Sequence, residues 1–199
     1  MGLVQQARRL TGPQQERLLA HVATTRTPAR DTVLVLLSYK CGLRAIEMGA
    51  VRWRMVWTVE GAVADELALE NTATKGGKAG RRIALVPALQ AALATLAAID
   101  RPRDGDAFVA RFRKDSRDRH VRADTVRELF RGWYQALGFA GCSSHSGRRS
   151  FGTTLARSVH LVGGSIVDVQ QVLGHAHLAT TLRYVDGDRE RQHALVQLL

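Results

Sequence analysis

The chain has 199 residues, 45% of them hydrophobic, enough to bury a sizeable core and too apolar for a disordered chain. Its 29 Lys and Arg against 18 Asp and Glu leave a formal charge of +11, which points to a polyanion as partner without separating DNA from RNA or an anionic membrane. Two cysteines, Cys41 and Cys142, make neither a disulfide framework nor a metal-ligand spacing, and MGLVQQARRL lacks the apolar run of a signal peptide, so the expectation is a soluble, intracellular protein.

Residues 1–10 read as a short basic lead. Thr11 with Gln14 makes a capping box for a helix over 13–23, with Leu18, Leu19 and Val22 at helical spacing. A second helix is expected from Pro28 to Cys41, closed by Gly42. In the phrase GLRAIEMGAVRW that follows, Arg44 and Glu47 lie three apart on one helical face. Taken alone they are a surface ion pair worth a few tenths of a kcal/mol.

RMVWTVE and ELALE, around a turn at Gly61, and then RRIALVP predict three short strands. Between the last two lies NTATKGGKAG, a glycine-rich hairpin loop carrying Lys75 and Lys78. It lacks the G-x-x-x-x-G-K-[ST] pattern of a nucleotide-binding loop. Pro87 opens an alanine-rich helix, PALQAALATLAAI, and the apolar stretch from Ile83 to Ile99 is broken by Pro87 and Gln90, which argues against a membrane span. A loop over 100–106 leads to RFRKDSRDRHVR, whose six basic residues against Asp115 and Asp118 make Arg111, Arg113 and Lys114 candidates for phosphate contacts. An amphipathic helix over 124–137 buries Phe130, Trp133 and Tyr134 and ends at Gly138.

The stretch SSHSGRRSFGTTLARSVHLVGGSIVDVQQVLGHAHLATTLRYV concentrates groups that handle a phosphate. His145 and Arg148 lie three apart at the start of a helix near Ser146, His175 follows the helix-ending Gly174, and Tyr184 ends the run LATTLRYV. A tyrosine hydroxyl, with a pKa of about 10, attacks at neutral pH only beside a base or strong positive charge. A guanidinium fork suits the charge that spreads over phosphate oxygens in the transition state. Each residue alone has an ordinary structural reading; the ordered set does not.

That ordered set, with the phrase LGHAHLATTLRYV, resembles the C-terminal half of the tyrosine recombinases, the phage-integrase family of site-specific recombinases. G-L-R-x-x-E followed by Trp53 resembles the family's first arginine box, and the KGGK hairpin resembles its lysine box. The resemblance implies an α+β, mainly helical catalytic domain over 11–186 with a small three-stranded antiparallel sheet, then a tail helix over 187–199 exchanged between subunits or packed on its own. It implies Tyr184 as nucleophile, Arg44 and Arg148 as phosphate clamps, His145 as base, His175 as a phosphate hydrogen bonder and Lys75, with Lys78 as fallback, as general acid. Glu47 supports Arg44; Lys78, Arg81, Arg111, Arg113, Lys114 and Arg149 are expected to contact DNA. Arg149 stands where many members have His.

The implied activity is cutting and rejoining of DNA through a 3′-phosphotyrosine link, giving integration, excision, inversion or resolution with neither ATP nor a metal cofactor. The pair His175 and His177 is weak ground for a metal site. The implied partners are double-stranded DNA and further copies of the chain, a tetramer in the synapse, with accessory DNA-bending proteins and no membrane. The implied place is the cytoplasm of a bacterium, at the nucleoid, with the protein encoded by the bacterium or a phage. Ten residues cannot form the N-terminal helical domain of most members, so the chain reads as a short, catalytic-domain-only member. Three other readings stay open: a type IB topoisomerase, a decayed recombinase that only binds DNA, and an RNA-binding protein.

Overall fold

Helix α1 (Gly12–Val22) starts on a reciprocal cap, in which the Thr11 hydroxyl accepts from the Gln14 N–H and the Gln14 side chain accepts from the Thr11 N–H at 2.9 Å. The computed structural model describes residues 7–74, 80–102, 104–111, 122–185 and 196–197. The chain divides into two units, Met1–Phe151 and Gly152–Leu199, and the division falls inside helix α6 (Ser146–Ser158).

In the first unit, helix α2 (Pro28–Lys40) is central. Val33 through Tyr39 are all buried, as expected of a helix apolar on every side. It packs on α1 and on α4 (Pro87–Asp100), whose Leu89, Leu93 and Leu96 recur at helical spacing. Helix α3 (Ala45–Ala50) packs on α5 (Ala123–Ala136), which buries one stripe of Val126, Phe130, Trp133 and Tyr134. The four long helices of this unit end within one residue of the bounds expected from capping and periodicity.

Strands β1 (Glu66–Leu69) and β2 (Arg81–Ala84) pair antiparallel, with Leu67 opposite Ile83 and Leu69 opposite Arg81. Among the described residues the sheet has two strands, not the three expected. The segment RMVWTVE does not open as a strand because the Met55 and Val56 N–H groups return to the Arg52 and Trp53 carbonyls, at 3.0 and 2.9 Å, and are spent on a local turn rather than a ladder. It forms instead a 3₁₀ turn, Trp53–Met55, that sinks Trp53 and stacks it on Trp57 with centroids 5.0 Å apart, then turns at Gly61 (φ +81°). Trp57 and Val63 meet only as an isolated bridge.

The described part of the basic lead is anchored. Leu10 is buried and its N–H donates to Ser150 Oγ at 2.8 Å, while the Arg8 N–H donates to the Gly141 carbonyl at 2.9 Å. In the second unit, α7 (Ile166–Leu173) starts on a Ser165–Asp168 capping box and stops at Gly174 in the left-handed conformation (φ +62°), as expected. Helix α8 (Leu178–Leu182) follows. The expected tail helix lies outside the described residues except at 196–197. Among the described residues no helix is long and apolar enough to cross a membrane.

Candidate active site

The first unit builds an arginine cluster around one buried carboxylate. Gly42 adopts φ +62°, where a Cβ would collide with the Phe151 ring, and the Leu43 N–H returns to the Leu37 carbonyl at 3.1 Å. This turn delivers Arg44 to the N-cap of α3. Glu47, in the first turn of α3 and fully buried, reaches back to accept from the Arg44 N–H and from Arg44 Nη1, both at 2.8 Å. The same carboxylate accepts from both terminal nitrogens of Arg81, at 3.1 and 3.0 Å. Nη1 of Arg148 stands 3.8 Å from it and donates to the Gly42 carbonyl at 2.5 Å.

Three guanidinium groups thus surround one carboxylate, a local excess of two positive charges. Burial pushes the Glu47 pKa up, but the hydrogen bonds and charge of Arg81, then of Arg44, outweigh it and hold the group below the usual carboxylate range. Arg148 is buried, whereas the Arg44 side chain keeps 24% exposure and so remains reachable by a ligand. Arg148 reaches its place because α6 crosses α2 closely at Gly147, where any Cβ would strike Ser38 Oγ. His145 stands exposed at the head of α6, its carbonyl accepting from the Arg149 N–H at 2.9 Å.

The second unit pairs the remaining two. His175 is buried directly after the Gly174 turn, its N–H donating to the Gln170 carbonyl at 3.1 Å and its carbonyl accepting from Gln170 Nε2 at 2.9 Å. Its Nδ1 lies 2.9 Å from the hydroxyl of Thr181, a fully buried residue that sequence reasoning did not single out. The Thr181 signal lies in spacing: it stands three residues ahead of Tyr184, whose N–H donates to the Thr181 carbonyl at 2.9 Å. The His175 ring stacks on Tyr184, centroids 5.7 Å apart and planes 20° apart. Gly152 admits the phenol, since a Cβ there would lie 2.8 Å from the Tyr184 ring.

Among the expected site residues, then, Arg44, Glu47 and Arg148 meet in one unit and His175 and Tyr184 in the other. Lys75, Lys78, Arg113 and Lys114 lie outside the described residues. The other three residues expected to contact DNA have partners within the chain. Arg81 forks Glu47; Arg111, 11% exposed, pairs with the Asp100 carboxylate at 3.0 Å; half-buried Arg149 donates to the Ala7 carbonyl at 2.9 Å. Clustered arginines of this kind grip a tetrahedral oxyanion, and a phenol beside an imidazole supplies a nucleophile.

The profile of the phage integrase family matches residues 8–191. The chain belongs to the phage integrase family. It is 35% identical over 165 residues to tyrosine recombinase XerC of Rhodospirillum centenum, covering 81% of this chain and 43% of that protein. It is 30% identical over 166 residues to tyrosine recombinase XerC of Brucella suis, covering 82% and 48%. The chain therefore spans less than half the length of these relatives. Among solved structures, XerA recombinase superposes with a TM-score of 0.70 at 20% identity, covering 96% of this chain and 64% of that one. The XerH site-specific recombinase, bound to its difH substrate before cleavage, gives 0.73 at 17%, covering 98% and 55%. The structural likenesses establish the recombinase catalytic fold.

Proposed function

We propose that this phage integrase family member cuts and rejoins DNA at specific sites through a 3′-phosphotyrosine intermediate. The Tyr184 oxygen attacks the scissile phosphorus and forms the phosphotyrosyl bond as the bond to the 5′ oxygen breaks. Arg44 and Arg148 hold the non-bridging oxygens, His145 accepts the tyrosine proton, His175 hydrogen-bonds the phosphate and Lys75 protonates the departing 5′ oxygen. The 5′ hydroxyl so released attacks a phosphotyrosine on a partner strand, and two such rounds pass through a Holliday junction. The covalent link conserves the phosphodiester energy, so the reaction is isoenergetic and draws on no ATP.

The observation that carries this reading is the arginine cluster: Arg44 and Arg148, far apart in sequence, share Glu47 and the Gly42 turn. Support for the partner comes from the +11 charge and from DNA-bound neighbours, among them a lambda integrase dimer on a core site. The working assembly in this reading is a homotetramer on DNA inside the bacterial cytoplasm, aided by DNA-bending proteins. A covalent-trapping experiment tests it. Wild type and Tyr184→Phe are expressed beside the native flanking DNA and denatured in detergent, and attached DNA is sequenced. Attachment in the wild type alone is expected, with binding preserved in the variant. Absence of attached DNA in both, with binding intact, overturns the enzymatic reading in favour of a DNA-binding regulator.

A further inference from the structure

Two adjacent arginines on β2 have opposite fates. Strand alternation puts Arg81 on the face of Ile83, towards the core, and Arg82 on the other. Arg82 is 76% exposed and pairs with Glu66 at the surface, whereas the Arg81 side chain is 7% exposed and lays both terminal nitrogens on the buried Glu47 carboxylate. We propose that Arg81 is a positioning residue, which sets Arg44 for phosphate through Glu47 and does not itself touch DNA. This inference rests on the function proposed above and deepens it.

The geometry gives the reason. Each Glu47 oxygen is shared: one accepts from Arg44 Nη1 at 2.8 Å and Arg81 at 3.1 Å, the other from the Arg44 N–H at 2.8 Å and Arg81 at 3.0 Å. A bidentate fork fixes the plane of a carboxylate, which a single point charge does not. With Arg81 in place, that plane fixes where Arg44 points, and the second positive charge keeps Arg44 from being neutralised by Glu47 alone. Without it, the carboxylate is free to turn, or to take up a proton in its buried setting, and either change moves Arg44.

The test compares Arg81→Gln, Arg81→Lys and, as a surface control, Arg82→Gln with the full-length wild type on its target DNA. Three quantities are read: affinity against salt, single-turnover formation of the covalent complex at saturating protein, and its pH profile. Arg81→Gln is expected to lower single-turnover cleavage roughly tenfold to a hundredfold, as a small misplacement of a catalytic group does. The slope of log affinity against log salt should stay that of the wild type, and the acid limb of the rate profile should move to higher pH. Arg81→Lys, which keeps the charge and loses the fork, should recover only part of the rate. It also serves where the Gln variant does not fold.

A salt slope smaller by about 0.9 in Arg81→Gln, restored in Arg81→Lys, would mean a phosphate contact and overturn the proposal. Wild-type rates and pH profile at saturation overturn it equally. A wild type that binds but forms no covalent link removes the function itself. A wild type that cleaves, matched by its Arg81 variants, removes only the role of Arg81.

Discussion

Glu47 has no contact with water and three guanidinium groups around it, so its charge is held by the fold and holds the fold in turn. Removing one partner of such a buried set leaves the others uncompensated, which costs about 3–5 kcal/mol. Glu47→Gln should therefore lose stability of that order at pH 7, measured by urea unfolding. The sign with pH follows from the lowered pKa. A carboxylate with a folded pKa below its unfolded value, about 4.3, contributes fully above that value and loses the contribution as pH falls through the folded pKa. The gap between wild type and variant should thus shrink from pH 7 towards pH 3; an unchanged gap would mean that shape, not charge, is what the variant lost. In sequence, Arg44 and Glu47 are legible as a pair three apart, and that spacing alone is worth only a few tenths of a kcal/mol. What raises its worth is Arg81, thirty-four residues away, and burial, neither of which helical spacing can show. The strand pattern Arg81-x-Ile83 is nonetheless present in the sequence, and its parity separates the inward arginine from the outward Arg82 where a count of basic residues does not.

Elements bring these side chains to their places, and the glycines at crossings are where that is decided. Gly147 lets α6 lie against α2, and Arg148, the next residue, owes its position to that approach. Gly147→Ala should force the helices apart, costing about 1–3 kcal/mol as overpacking does, and should lower cleavage more than binding. Thermal unfolding with the trapping assay checks both; an unshifted midpoint with full cleavage would show that the crossing tolerates a methyl group. Helices were legible because caps and apolar spacing are local: Thr11 with Gln14, Pro28, Pro87 and Gly174 mark their ends. Composition favours a third strand that the described structure does not form. Met55, Val56, Trp57 and Val59 suit a strand individually, yet the Met55 and Val56 N–H groups close a local turn onto the Arg52 and Trp53 carbonyls, which composition does not show.

At the scale of the whole molecule, charge is the property the sequence states most plainly and places least. The excess of 29 basic over 18 acidic side chains is fixed by composition, but at least nine arginines among the described residues, Arg81 and Arg111 included, pair with carboxylates inside the chain. Pairing inside the chain leaves the net +11 unchanged, and that excess is the charge the proposed DNA partner would meet. Each phosphate neutralised on duplex DNA lowers the logarithm of affinity by about 0.9 per decade of salt, so engagement of about half the excess predicts a slope of roughly −4 to −5. Binding of Tyr184→Phe to its target between low and moderate salt measures this without interference from covalent capture. A slope near that value would place the excess charge on the duplex. A slope shallower than about −2 would mean that few phosphates are neutralised, and the basic surface would then need a partner other than the duplex backbone.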